Sequence, residues 1–244
     1  MKTKCLLLTG ASRGIGHATV KAFEQAGWRV LTISRQPFAE NCRWAQGKEN
    51  HIQADLEDLA RIEDIAALVR SKLPDGELAA LVNNAGISPK NAAGDKLDVQ
   101  GTDAETWTRV LNVNLVSTAL LVRALLPELI KAKGAVVNVT SIVGSRVHPF
   151  AGVAYAASKA GLAALTREMA FEFGGMGVRV NAIAPGEIST NILSPGTDAL
   201  VASEVPMRRL GTPSEVAQTI VFLCSEASSY INGAEIHING GQHV

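Results

Sequence analysis

An excess of charge of either sign is missing from this chain. Lys and Arg total 23, Asp and Glu total 23, and the formal net charge is zero. That balance argues against a nucleic-acid binder, which needs a basic excess to neutralise phosphates. Cysteine is scarce: Cys5, Cys42 and Cys224 are scattered, with no CxxC pair and no Cys/His cluster at zinc spacing. No disulfide framework and no metal site are expected, and a reducing cytoplasmic compartment fits best. No stretch approaches the ~20 apolar residues needed to cross a bilayer, so no membrane association is expected. The start, Met1-Lys2-Thr3-Lys4 followed by Cys5-Leu6-Leu7-Leu8, has the charge order of a secretory leader. Its apolar run stops at Thr9-Gly10, too short for such a leader, and reads as a first buried strand. Repeats, low-complexity tracts and linkers are absent too, so 1–244 is expected to be a single domain.

What is present is apolar sequence: 47% of the 244 residues are hydrophobic and 19% charged, enough for a large buried core. Short apolar runs alternate with longer helical patterns. Strands are predicted at 5–9, 29–34, 51–55, 78–82, 135–140, 178–183 and 235–238. Helices are predicted at 14–25, 58–72, 103–132 and 153–173, the third bent at Pro127, which has no amide to donate. Thr212-Pro213-Ser214-Glu215 opens another, with Thr at the N-cap, Pro at the first helical position and Glu two residues on. Alternating strands and helices predict an α/β fold, a doubly wound parallel sheet with helices on both faces. Segments 84–102 and 187–211 are rich in Gly, Pro, Ser and Asn and read as long loops, which are usually functional.

The first strand runs into Thr9-Gly10-Ala11-Ser12-Arg13-Gly14-Ile15-Gly16, and a helix follows. Gly10 would permit the tight turn, Gly14 would let backbone approach a pyrophosphate, and Gly16 would let the helix pack on the strand. The helix start offers free N–H groups to phosphates. The spacing is G-x-x-x-G-x-G, so an ordinary strand-to-helix turn is the competing reading. At the end of the second strand stand Ser34 and Arg35, with no carboxylate to take a ribose 2′-hydroxyl. Arg35 and Arg13 could instead neutralise a 2′-phosphate, which favours NADP over NAD, unless both are merely solvated.

Tyr155 and Lys159 are four residues apart on a helix and share a face. A phenol of pKa near 10 is a poor acid or base at neutral pH. A nearby ammonium would stabilise the phenolate and bring it toward working range. Ser141 ends a strand where α/β sheets place ligands, and its hydroxyl could steady a substrate oxygen.

Taken in order, Thr9-Gly10-x-x-x-Gly14-x-Gly16, Asn83-Asn84-Ala85-Gly86, Asn114, Ser141, Tyr155-x-x-x-Lys159 and Pro185-Gly186 resemble the short-chain dehydrogenase/reductases over nearly the whole chain. The resemblance implies a Rossmann-type domain and a hydride transfer between a nicotinamide and a small-molecule carbonyl or alcohol. Tyr155 would be the acid/base, Lys159 would lower its pKa and hold the nicotinamide ribose, and Ser141 would orient the carbonyl. Asn114 would position a water linking Lys159 to solvent. For the cofactor, the resemblance implies Gly10, Ser12, Arg13, Gly14, Ile15 and Gly16 at the phosphates, Ser34 and Arg35 at the ribose, and Asp55 and Leu56 at the adenine. Asn83, Asn84, Ala85 and Gly86 would wall the adenosine, and Pro185, Gly186, Ile188 and Thr190 would lie over the nicotinamide. Many members are tetramers built on two long helices, so a homotetramer or homodimer is expected.

Three departures fall where the substrate would sit. Residues 88–101 make a longer loop than in short members. Ser141 and Tyr155 are 14 apart in sequence, one more than in the bacterial 3-oxoacyl-carrier reductases. Glu187 puts a carboxyl where members often carry an apolar or aromatic residue. They favour a smaller or more polar substrate over an acyl carrier. A 3-oxoacyl-thioester reductase and a catalytically silent nucleotide-binding protein remain the competing functions. His148 and Glu187 read more simply as loop residues than as ligands. Asp198, Glu204, Arg208 and Arg209 read as surface charges of a lid, and Trp28, Trp44 and Trp107 as packing residues.

Overall fold

A computed structural model describes residues 3–38, 44, 47–190, 194 and 196–244. Cys42, one of the three cysteines, lies outside the described residues. Among those described, seven strands form one all-parallel sheet: β1 Cys5–Thr9, β2 Arg29–Ser34, β3 His51–Gln53, β4 Ala80–Asn83, β5 Ala135–Val139, β6 Arg179–Pro185 and β7 Glu235–Ile238. Their order is β3-β2-β1-β4-β5-β6-β7. The chain winds outward from β1 to β3, returns, and winds the other way from β4 to β7. The reversal lies between β1 and β4, and the crevice beyond the carboxyl ends of such strands is where this architecture binds ligands.

The helices are α1 Gly14–Gln25, α2 Gly47–Asn50, α3 Ile62–Lys72, α4 Ala104–Leu111, α5 Ser117–Ala132, α6 Val153–Gly174, α7 Thr197–Glu204 and α8 Pro213–Cys224. Alternation along β1 shows why the strands are apolar throughout. Leu7 joins Leu31, Leu81, Val136 and Val180 in a core with α3, α5 and α6. Leu6 and Leu8 join Val30, Val82 and Val137 in a second core with α1 and α8, on the other face. A strand covered on both sides has no position at which a polar residue is free of cost. The expected capping box of α8 is present: Thr212 Oγ1 accepts from the Glu215 amide at 3.2 Å, and the Glu215 carboxylate accepts from the Thr212 amide at 2.8 Å.

Three expectations need correction. The run 103–132 departs from α geometry at Asn112–Val116, a π-turn between α4 and α5, while Pro127 sits inside α5. An inserted π-turn re-aims side chains, and here it carries Asn114. Segment 187–211 contains α7. The helical run Ala104–Ala132, 29 residues, is long and apolar enough to span a bilayer, contrary to the expectation of no such stretch. Half of its most apolar window is buried in the protein, as in a core helix.

Cys5 and Cys224 are free and buried, their thiols pushed up to about 11 and about 12 by burial, which leaves them unreactive at neutral pH. No group of His, Cys, Asp or Glu among the described residues could hold a metal ion.

Candidate active site

Everything after β1 at this edge of the sheet is braced by short polar side chains. Thr9 Oγ1 accepts hydrogen bonds from the Asn84 amide at 3.1 Å and the Ala85 amide at 3.0 Å. Asn84 Nδ2 returns two, to Thr9 O at 3.1 Å and Gly10 O at 2.8 Å. The loop after β4 is thereby clamped onto the loop after β1. Gly10 takes a φ of 72°, and a Cβ there would lie 2.8 Å from Ala85 Cα. At Gly16 a Cβ would lie 2.1 Å from Gly10 O, so this glycine is needed against the loop itself. Ile15 packs on the core of α1 and α8. Arg13 stands at the N-cap of α1 with no side-chain cap, and Ser12 beside it is exposed. The amides of the first turn therefore remain available to an anion. Thr190 Cγ2 lies 3.2 Å from where a Gly14 Cβ would be, which brings the segment after β6 across to this loop.

At the ends of β2 and β3, Ser34 Oγ donates to Gln36 O at 2.9 Å and Gln53 Nε2 donates to Arg35 O at 3.0 Å. Arg13 and Arg35 are exposed, and neither guanidinium has an ion-pair partner among the described residues. Asp55 is exposed and accepts from the Glu57 amide at 3.0 Å, while Leu56 is buried in the core.

The four residues expected to be catalytic come from three elements. Ser141 follows β5, and its Oγ caps a 3-10 turn, Ile142–Gly144. Tyr155 and Lys159 share one face of α6. Burial holds the Tyr155 phenol above its ordinary range, and a hydrogen bond with Ser141 opposes that. Lys159 Nζ donates to Val139 O at 2.7 Å and stands 5.7 Å from the Tyr155 ring centroid. Burial pushes this ammonium down to about 8. The expected lowering of the phenol by Lys159 is therefore corrected: burial outweighs the other influences on Tyr155, and the larger benefit falls on the amine, which titrates near neutrality.

Asn114 is buried, and its amide is committed. Oδ1 accepts from the Ile87 amide at 2.8 Å, and Nδ2 donates to Ile87 O at 2.9 Å and Ser158 Oγ at 3.0 Å. Ser158 Oγ in turn donates to Tyr155 O at 2.7 Å. Asn114 therefore fixes the strand-like segment after Gly86 and the turn of α6 under Tyr155. A Cβ on Gly86 would lie 3.4 Å from Lys159 Nζ and 3.5 Å from Asn114 Oδ1, so this glycine keeps the two close. Asn83 Nδ2 donates to Asn138 Oδ1 at 2.9 Å, and Asn138 Nδ2 to Thr166 Oγ1 at 2.9 Å, a buried amide chain across the sheet. Asn138, Ser158 and Thr166 are supporting residues that sequence reasoning missed, while Thr9 was named there only as part of the glycine-rich motif. Each is a small polar residue on an apolar strand or helix, a signal too common to single out.

On the side where a substrate is expected, segments 88–101, 146–152 and the described residues of 187–211 dock on one another. Lys90 Nζ donates to Phe150 O and, at 3.4 Å, to Ser194 Oγ; Lys96 Nζ donates to His148 O at 3.3 Å. Arg146 pairs with Glu204 at 2.9 Å and donates to Gln242 O. Pro185 ends β6, and a Cβ on Gly186 would lie 2.6 Å from Asn239 Cβ. Ile188 is buried and pairs with Gly211 in an isolated bridge. His148 and Glu187, expected to be unrelated loop residues, instead form a buried pair, His148 Nε2 to Glu187 Oε1 at 2.7 Å. Of the lid charges, Glu204 is tied to Arg146, and Arg209 pairs with Glu215 at 2.6 Å. Trp28 packs edge-on against Phe23, and Trp44 against Phe38, as packing residues should.

Comparison with known proteins agrees with this geometry. The family model described as enoyl-(acyl carrier protein) reductase matches residues 10–243. The chain is 55% identical over 242 residues to Protein FixR of Bradyrhizobium diazoefficiens, covering 99% of this chain and 87% of that one. It is 37% identical over 254 residues to the 3-oxoacyl-[acyl-carrier-protein] reductase FabG of Thermotoga maritima, covering 99% and 98%. The structure of a short-chain dehydrogenase/reductase family oxidoreductase from Brucella ovis, in complex with a partially ordered NAD, superposes with a TM-score of 0.85. That protein is 54% identical, with 98% of this chain and 100% of that one covered.

Proposed function

The chain belongs to the short-chain dehydrogenase/reductase family and is a nicotinamide-dependent oxidoreductase, and from that premise we propose that it interconverts a carbonyl and a secondary alcohol with NADP(H), using Tyr155 as acid and base. The observation that carries this reading is the placement of Tyr155 and Lys159 on one face of α6, the ammonium 5.7 Å from the ring centroid, with Ser141 at the end of β5 opposing the upward push of burial on the phenol. A phenol, a hydroxyl and an amine titrating at about 8 then converge at the carboxyl end of β5.

The residues fit a dinucleotide. Gly10, Gly14 and Gly16 form a loop that side chains would fill, and the first turn of α1 keeps its amides free. Ser12, Arg13, Gly14 and Ile15 would hold the pyrophosphate. Ser34 and Arg35 would hold the adenosine ribose, where the end of β2 carries no carboxylate to repel a 2′-phosphate; Arg13 and Arg35 support the choice of NADP. Asp55, Leu56, Asn83, Ala85 and Gly86 would line the adenosine, and Pro185, Gly186, Ile188 and Thr190 the nicotinamide. The cofactor would supply or take up the hydride. In reduction, Ser141 Oγ holds the substrate oxygen and Tyr155 Oη gives it a proton. Lys159 is poised to restore that proton, since its own equilibrium lies near neutral pH. With its amide spent on Ile87 and Ser158, Asn114 supports the site by holding the backbone beneath it.

Tyr155→Phe is expected to keep nucleotide affinity, read by NADPH fluorescence titration, and to lose turnover by ~10²–10⁴-fold. Unchanged turnover would refute the assignment. The Brucella ovis relative holds NAD, and NADH run beside NADPH decides the cofactor here: where Arg13 and Arg35 meet a 2′-phosphate, Arg13→Ala and Arg35→Ala should raise KM for NADPH more than for NADH. Reduction of a 3-oxoacyl thioester is the second reading, favoured by the FabG similarity, and acetoacetyl thioester with NADPH tests it. The fully exposed Phe171 of α6 supports a homotetramer or homodimer, and a cytoplasmic location suits the two reduced, buried thiols.

A further inference from the structure

His148 and Glu187 are 7% and 11% exposed at their side chains, so both are largely removed from water. His148 Nδ1 accepts from the Phe150 amide at 3.2 Å. That nitrogen must therefore carry a lone pair, and the imidazole proton sits on Nε2, donating to Glu187 Oε1. The histidine is neutral in this arrangement, and the carboxylate is the pair's only charge. Among the described residues no cation forms an ion pair with Glu187, and its second oxygen has no hydrogen-bond partner. Lys90 and Lys96, whose ammonium groups reach the same loops, donate to the carbonyls of Phe150 and His148.

The second oxygen of Glu187 is not among the buried polar atoms left without a partner, so it reaches water and stays open as an acceptor while Oε1 is held. His148 lies on the segment that joins Ser141 to Tyr155, and Glu187 follows Pro185-Gly186 at the end of β6, the strand beside β5. The pair thus spans the two segments that flank the acid/base.

We propose that Glu187, aimed by His148, is a specificity-determining residue. Its free oxygen receives a hydrogen-bond donor on the substrate, a hydroxyl or an ammonium close to the reacting carbonyl or carbinol. This rests on the oxidoreductase reading above. It selects hydroxy- or amino-carbonyl compounds and disfavours an acyl chain, which would leave the carboxylate desolvated and unpaired.

The test compares kcat/KM for 2-butanone, hydroxyacetone and aminoacetone, and for their homologues one methylene longer, with acetoacetyl thioester beside them. Wild type should prefer the donor-bearing members by ~10-fold or more. Glu187→Gln should collapse the ammonium preference, and Glu187→Leu both preferences. His148→Phe should raise KM for donor-bearing substrates with little change in kcat, as a positioning residue requires. A second reading is calorimetric: 1-amino-2-propanol should bind the wild-type complex with NADPH more tightly than 2-butanol, and lose that margin in Glu187→Gln. Melting curves and nucleotide affinity report on folding of each variant. A flat wild-type ratio, a ratio unmoved by either Glu187 variant, or preference for the thioester overturns the proposal and leaves the oxidoreductase reading standing if Tyr155→Phe is dead. No turnover of any carbonyl by wild type, with nucleotide still bound, overturns both.

Discussion

Around the glycine loop the bonds come from short side chains, Thr9 and Asn84, closed on backbone within a few bonds of their own Cα. Over the substrate side they come from the longest side chains in the chain's inventory, Lys90, Lys96 and Arg146, reaching across loops to carbonyls and to Glu204. Short side chains lose little rotamer freedom on ordering, and long ones lose most. The first region is therefore a rigid seat for a ligand of fixed shape. The second is a cover whose parts can be exchanged without disturbing the seat.

That contrast is broken most easily at its rigid end. Gly16→Ala sets a methyl 2.1 Å from Gly10 O, a backbone atom with nowhere to move while Asn84 holds it. The expected cost is about 3 kcal/mol in denaturant melts, with nucleotide affinity falling ~100-fold as the first turn of α1 shifts. Retained affinity would mean that the loop is softer than its bonding implies. Thr9→Val keeps the shape but removes the acceptor of two amides, those of Asn84 and Ala85. About 2 kcal/mol should be lost, because part-buried donors are left unpaired.

These two regions also differ in how far the sequence disclosed them. The strands, the long helices and the α8 capping box were legible because they follow from apolar period and local cap chemistry. The Tyr155-x-x-x-Lys159 pairing was legible because four residues make one helix turn. The roles of Thr9 and Asn84 were not, since they join residues 75 apart in sequence. The π-turn at Asn112–Val116 left no mark, because one extra residue in a helical turn does not alter an apolar pattern that Pro127 seemed to interrupt more plainly. The His148–Glu187 pair was hidden for the same reason as Thr9. Each partner looks solvated alone, and only the tertiary fold shows that neither is.

Lys159 sharpens the comparison at its centre, since it belongs to the seat but carries a charge without a carboxylate partner among the described residues. Its folded pKa, about 8, lies below the 10.5 of a lysine in water. Below pH 8 the amine is protonated in both states, and burial of the charge costs stability. Between about 8 and 10.5 the unfolded chain holds the proton and the folded one does not, so this residue's contribution rises with pH. The Cys5 and Cys224 thiols oppose it, since their folded pKa values are raised and stability falls above their unfolded pKa. The difference between wild type and Lys159→Met cancels that shared contribution. From pH 7 to 9 wild type should gain about 1 kcal/mol on the variant, read from urea melts at each pH. A gap that stays constant would show that the amine is not the group titrating.

The smallest effect is expected at the cover. Arg146 and Glu204 are each more than a third exposed at their side chains, so water screens the pair and much of its Coulombic gain offsets ordered side-chain entropy. Glu204→Gln should change stability by no more than ~0.5 kcal/mol, and added salt should shrink even that. Arg146 would keep its hydrogen bond to Gln242 O, which does not depend on Glu204. The measurement belongs beside Thr9→Val in the same melts. A Glu204→Gln cost as large as that of Thr9→Val would mean that the long-range charged contacts are as stiff as the short neutral ones. The cover would then be a fixed wall of the site, and substrate selection at Glu187 would have to occur in a pocket that does not open.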